Sequence, residues 1–111
     1  MCKPEELLYF QDIVDSIKKI KQYTKKMSFD NFTEDNKTVD AVVRNLEIIG
    51  EAARYITKTT RQRHPEIPWA QMAGMRNKVI HEYSGVDLSI LWQTVKDDIP
   101  DLKKKIAKIL Q

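Results

Sequence analysis

The sequence of 111 residues is short of the residue types that staple, turn or insert a chain. It holds one cysteine, Cys2. A single thiol closes no internal disulfide and builds no cysteine-based zinc site. Its three glycines and four prolines are too few for the many turns of an all-β fold, so a small number of long elements is expected. The longest unbroken apolar run is Leu7-Leu8-Tyr9-Phe10, far short of a membrane span and of a signal-peptide core. With no export signal and no disulfide, the reducing cytoplasm is the expected compartment. No glycine-rich phosphate loop, internal repeat or low-complexity tract is present. Charge of one sign does not dominate either. A net charge of +3 permits a nucleic-acid partner without demanding one, because the usual footprint is a concentrated basic face.

What is present is helical periodicity. A chain of this length makes one domain, residues 1–111, able to bury roughly two-thirds of its unfolded surface without metals or disulfides. Pro4, Glu5 and Glu6 suit a helix start, and Phe10, Ile13, Ile17, Ile20 and Met27 form one apolar stripe. A first helix is therefore expected from about Pro4 to Lys26. Phe29 and Phe32 fall in a pattern break and are expected to enter the core from a loop or short turn. A second helix should start near Thr33 or Asp35 and run to about Arg63, with Val39, Val42, Leu46, Ile49, Ala53 and Ile56 as its seam. Gly50 in mid-helix costs about 1 kcal/mol relative to alanine, which points to a close helix approach. His64-Pro65-Glu66-Ile67-Pro68 is a stop, and His64 is expected to meet the terminal carbonyls of the preceding helix. A third helix is expected from Trp69 to near Tyr83, ended by Ser84-Gly85. A fourth, capped by Asp87, should carry Leu88, Leu91, Trp92 and Val95, with Pro100 interrupting it or marking its early turns. The fold class is all-α, an antiparallel bundle of four to five helices.

Basic residues gather in three places: Lys18, Lys19, Lys21, Lys25 and Lys26; Arg54, Lys58, Arg61 and Arg63; and Lys103, Lys104, Lys105 and Lys108. Solvated helix faces are the plain reading of each.

The segment Arg76-Asn77-Lys78-Val79-Ile80-His81-Glu82-Tyr83 carries the chemistry. Metal-free RNA cleavage needs a proton taken from the attacking 2′-hydroxyl, a proton given to the leaving 5′-oxygen, and charge stabilised on the phosphoryl oxygens. Histidine titrates near neutral pH and can move protons. Arginine presents a fork that matches phosphate oxygens. Asn77 can hold phosphate or ribose, and Tyr83 can stack on a base. On one continuous helix, His81 would lie roughly 140° around from Arg76. Two arrangements would reunite them: a helix distorted near Ser84-Gly85, or, preferred, a symmetric dimer that shares one cleft. Glu51 either lies near this segment and orients Arg76 or is a surface carboxylate. The plain alternative for the whole motif is packing and ion pairing.

The whole chain resembles the HepT group of the HEPN superfamily. The ordered features are Asn45-Leu46-Glu47-Ile48-Ile49-Gly50-Glu51-Ala52-Ala53, the linker His64-Pro65-Glu66-Ile67-Pro68-Trp69, Met75-Arg76-Asn77 with His81-Glu82-Tyr83, Gly85-Val86-Asp87, and Trp92. The resemblance implies an HEPN-like helical-bundle toxin that dimerises and cleaves RNA without metal or other cofactor. Arg76 and His81 would be catalytic, with Asn77 beside the arginine. It further implies a minimal nucleotidyltransferase antitoxin that inactivates the toxin by transferring AMP to Tyr83. The alternative is a non-catalytic helical module that binds a nucleotidyltransferase partner, a nucleotide or both.

Overall fold

The computed structural model describes residues 4–75, 77, 80, 81 and 85–110. Its elements are α1 (Pro4–Tyr23), α2 (Phe29–Glu34), α3 (Asn36–Tyr55), α4 (Lys58–Arg63), α5 (Trp69–Ala73), strands β1 (Ile80–His81) and β2 (Gly85–Val86), α6 (Leu88–Gln93), a π-helical turn (Thr94–Asp98) and α7 (Ile99–Ile109). The all-α expectation holds, with more and shorter pieces than four to five helices. Among the described residues, no helix is long and apolar enough to cross a membrane.

The two long helices follow their stripes. Phe10, Ile13, Ile17 and Ile20 of α1 are buried against Val42, Leu46, Ile49 and Ala53 of α3. The rings of Tyr9 and Tyr55 stack at 5.2 Å, so the start of α1 meets the end of α3 and the pair is antiparallel. Leu91, Val95, Ile99, Leu102 and Ile106 close the core from the C-terminal helices. Burial of such side chains contributes about 1.5–3 kcal/mol each, before the entropy of ordering them.

Most departures from the sequence expectations lie at helix ends. Helix α1 stops at Tyr23, not Lys26. The Thr24 hydroxyl donates back to the Ile20 carbonyl at 2.8 Å, and Lys26 takes a left-handed conformation with φ 63°. Phe29 and Phe32 ride on a helix of their own. Ser28 caps it, accepting from the Asn31 backbone while the Asn31 side chain returns to the Ser28 N–H. Phe32 is fully buried, Phe29 is half exposed, and their rings lie 5.0 and 6.3 Å from that of Trp92. Asp35 then caps α3 through the Thr38 N–H at 3.0 Å.

The second predicted helix does not reach Arg63 in one piece. The chain turns extended at Ile56, and Thr57 caps a new helix, α4. The cause sits on α1. Buried Glu6 accepts from the Thr57 backbone N–H at 2.9 Å and the Thr60 hydroxyl at 2.6 Å. A carboxylate at the positive end of α4 is favourable, and it competes with continuation of α3. His64 also differs from expectation: its Nδ1 faces Glu66 Oε1 at 3.6 Å, and only its backbone N–H reaches a helix carbonyl, that of Arg61. The Trp69 indole N–H takes the His64 carbonyl at 3.0 Å.

The third predicted helix is also shorter. Ile80 and His81 are not helical; they pair antiparallel with Val86 and Gly85 respectively. Gly85 has φ +77°, which favours glycine, so it serves a strand pair rather than a helix cap. Asp87 caps α6 as expected, accepting from the Ile90 N–H at 3.1 Å. Pro100 falls in the first turn of α7, directly after the π turn, where the Ile99 N–H bonds the Thr94 carbonyl five residues back. A proline ring in a regular helix collides with the carbonyl four residues earlier. Here that residue is Lys96, inside the widened turn.

Candidate active site

Helix α3 supplies the floor of the site. Glu47, Gly50, Glu51 and Arg54 recur every three or four residues and therefore share one helix face. That face packs under α5 only because residue 50 has no side chain. A Cβ there would meet the backbone carbonyl oxygens of Met72 and Ala73 at 3.1 and 3.2 Å. The close approach expected of Gly50 is thus present, and α5 is what it admits. The Arg54 guanidinium bridges the two elements, donating to the Ala73 carbonyl at 3.3 Å.

Beyond Ala73 the chain passes Gly74 and buried Met75 to exposed Asn77. A groove of about 430 Å³ opens between the elements, lined by Glu47, Gly50, Glu51, Arg54, Ala73 and Asn77. That volume lies in the range of ligand clefts. Its charges are mixed: Glu47, Glu51 and Arg54 line it, and Arg44, outside the lining, lies 3.5 Å from Glu47. Such a groove is polar and of mixed charge rather than a simple anion trap.

Two of the sequence-predicted residues, Glu51 and Asn77, come together in this groove. Arg76 and Tyr83 lie outside the described residues. Only the backbone of His81 is described, in β1. It lies four positions beyond Asn77, so the two Cα atoms are within about 14 Å of each other. His81 is a strand residue, whereas Asn77 is helical. The continuous helix through His81 assumed in the sequence is not formed, because Ile80 and His81 of β1 pair with β2. Arg54 was grouped only with a basic cluster in the sequence. The stripe Glu47, Gly50, Glu51, Arg54 was the signal that could have placed it at the site. Among the described residues, no three histidine, cysteine, aspartate or glutamate side chains gather as a metal site.

Comparison with known proteins bears on this geometry. A family model described as "Ribonuclease HepT-like" matches residues 13–109. A protein of Thermococcus cleftensis named "Probable ribonuclease HepT" is 50% identical over 101 residues, covering 91% of this chain and 92% of its own. A protein of Methanocaldococcus jannaschii named as a candidate RNase is 40% identical over 106 residues, covering 96% and 97%. Another so named, from Caldanaerobacter subterraneus, is 42% identical over 103 residues, covering 93% and 92%. No solved structure matches the chain. A match over nearly the full length, with the Gly50 close approach and a groove beside the motif, is more than a shared helical architecture: the chain belongs to the HepT-like ribonuclease family of the HEPN superfamily.

Proposed function

We propose that this chain is the toxin of a toxin–antitoxin pair, a metal-independent endoribonuclease that cleaves RNA through Arg76, Asn77 and His81. The observation that carries the reading is the groove between α3 and α5, which brings Asn77 and Glu51 together at the start of the motif. In the proposed reaction the 2′-hydroxyl attacks phosphorus and loses its proton, and the 5′-oxygen leaves with a proton. The products are a 2′,3′-cyclic phosphate and a 5′-hydroxyl. His81 handles a proton, Arg76 holds the phosphoryl oxygens, and Asn77 fixes ribose or phosphate. Glu51 orients Arg76 from the α3 side. Full-length similarity to proteins with ribonuclease names supports this reading.

The test is cleavage of RNA in EDTA with analysis of the new ends. His81→Ala and Arg76→Ala should each lose at least a hundredfold in rate. Wild-type rates in either variant would end the proposal. We further propose that two copies share one cleft and that a nucleotidyltransferase antitoxin adenylylates Tyr83. An AMP group two residues from His81 would place bulk and negative charge where a phosphate must bind. Co-expression with the partner should add one or more AMP masses, all lost in Tyr83→Phe. Overexpression alone should arrest growth, with His81→Ala relieving it; a non-catalytic module would leave growth unchanged in both.

A further inference from the structure

A second groove, of about 220 Å³, lies at the other end of the molecule, where the last turn of α1 meets the π turn and the start of α7. Four of its lining residues are lysines: Lys21, Lys25, Lys26 and Lys96. Three belong to the first basic cluster of the sequence, Lys96 lies outside all three clusters, and folding joins it to them. Among the described residues, no carboxylate lies within ion-pair distance of any of the four. A fifth ammonium, that of Lys103, is held below its ordinary pKa by a hydrogen bond and charge repulsion from Lys21. The nearby Asp101 carboxylate is engaged by Lys105 at 2.9 Å.

Aromatic rings adjoin the lysines. Lys96 lies 5.1 Å from the centroid of the Trp92 ring, and the half-exposed Phe29 ring is 6.3 Å beyond. Lysines without a carboxylate partner, beside the partly exposed rings of Trp92 and Phe29, match the pattern that holds single-stranded nucleic acid, with the cations on phosphates and the rings under bases. An acidic protein segment or an anionic membrane would use the charges but has no planar bases to stack. Lys26 adds an independent sign. Its φ of 63° is a position where glycine or asparagine normally ends a helix. A lysine there accepts local strain, and strain of this kind gathers at functional sites.

The distance to the first groove follows from the antiparallel pair. Tyr9 stacks on Tyr55. Counted from that contact, Thr24 and Gly50 are separated along the shared axis by about 15 Å at 1.5 Å per residue. We propose that the lysine groove is an RNA-backbone exosite, holding a single-stranded segment several nucleotides away from the bond cleaved at the Asn77 groove. This rests on the ribonuclease reading for its role in catalysis but not for RNA binding itself.

The probe is a fluorescein-labelled single-stranded RNA of about 16 nucleotides, followed by anisotropy in the His81→Ala background. Replacing Lys21, Lys25 and Lys96 together by alanine should weaken binding at least tenfold. It should also lower the slope of log affinity against log salt by about 2, at roughly 0.7 per lost phosphate contact. Phe29→Ala should weaken binding about tenfold through lost stacking. Lys26→Gly should raise the melting temperature while weakening binding, a split that a merely structural lysine would not give. In the catalytically intact chain, the triple substitution should raise KM for long RNA and leave kcat unchanged. Several results would overturn the exosite: no RNA binding by the parent chain, affinity and salt slope unchanged in the triple variant, or tighter lysine-dependent binding to phosphatidylglycerol vesicles or polyglutamate than to RNA. RNA bound through the lysines by a chain that cleaves nothing would uphold the groove and reject the ribonuclease reading. Cleavage with lysine-independent binding would do the reverse.

Discussion

Two residues show how much rests on single positions. At Gly50 an added methyl group would meet two backbone carbonyls at 3.1 and 3.2 Å. In a free helix, glycine to alanine gains about 1 kcal/mol. Here the neighbouring atoms are main chain, so α5 itself must move, and overpacking of this kind costs about 1–3 kcal/mol. Gly50→Ala should therefore lower the melting temperature by several degrees and reduce RNA cleavage, since α5 leads into the motif. A stabilised, fully active variant would contradict the close approach. Glu6 acts in the opposite sense, by what it supplies. Its buried carboxylate accepts from Thr57 and Thr60. Glu6→Ala leaves both groups short of an acceptor, and stability should fall by about 3 kcal/mol in a denaturant titration. Glu6→Gln keeps the shape and one acceptor and should fall by less.

At the scale of elements, what could be read in advance was what repeats. The stripes from Phe10 to Ile20 and from Val39 to Ala53 announced α1 and α3 because burial on a helix recurs every three to four residues. The break at Ile56 had no such sign. No glycine or proline marks it, and its cause, Glu6, is some fifty residues away in sequence. The two-residue strands were hidden for another reason: a pair such as Ile80–His81 is too short to show alternation. The same logic divides the site. Gly50 was legible as a close contact and Glu51 as either a neighbour of the motif or a surface carboxylate, whereas Arg54 required knowing which face α5 covers. The cap of α3 yields a pH test. The Thr38 backbone N–H, and then the Thr38 hydroxyl, hold the Asp35 carboxyl below its ordinary value of 3.8. A depressed folded-state pKa gives stability that is complete above the unfolded value and fades as pH falls through the folded one. Helix content and denaturant midpoint should thus decline below about pH 4, and Asp35→Asn should remove that part of the decline while keeping a competent cap.

At the scale of the molecule, one fold carries a mixed-charge groove at one end and a lysine groove at the other. Exposed Leu8 and Tyr55 leave apolar surface near the α1–α3 end, which supports the proposed association of two copies. If the cleft is shared, specific activity should fall on dilution as dimers separate, and light scattering at matching concentrations should report the loss of mass. Activity per chain that is constant through dissociation would place each site within one protomer. The π turn before Pro100 has a consequence of another kind, for the length the chain can tolerate. A π turn holds one residue more than a regular helix would in the same space. Removing one residue from Thr94–Asp98, with Pro100 changed to alanine, should close the bulge into an unbroken α-helix. Ile99, Leu102 and Ile106 would still face the core. The same one-residue deletion in the middle of α3 would turn everything after it by about 100° and unfold the protein. The junction of α6 and α7 is thus a place inside a helical stretch where a one-residue deletion can act without loss of the fold.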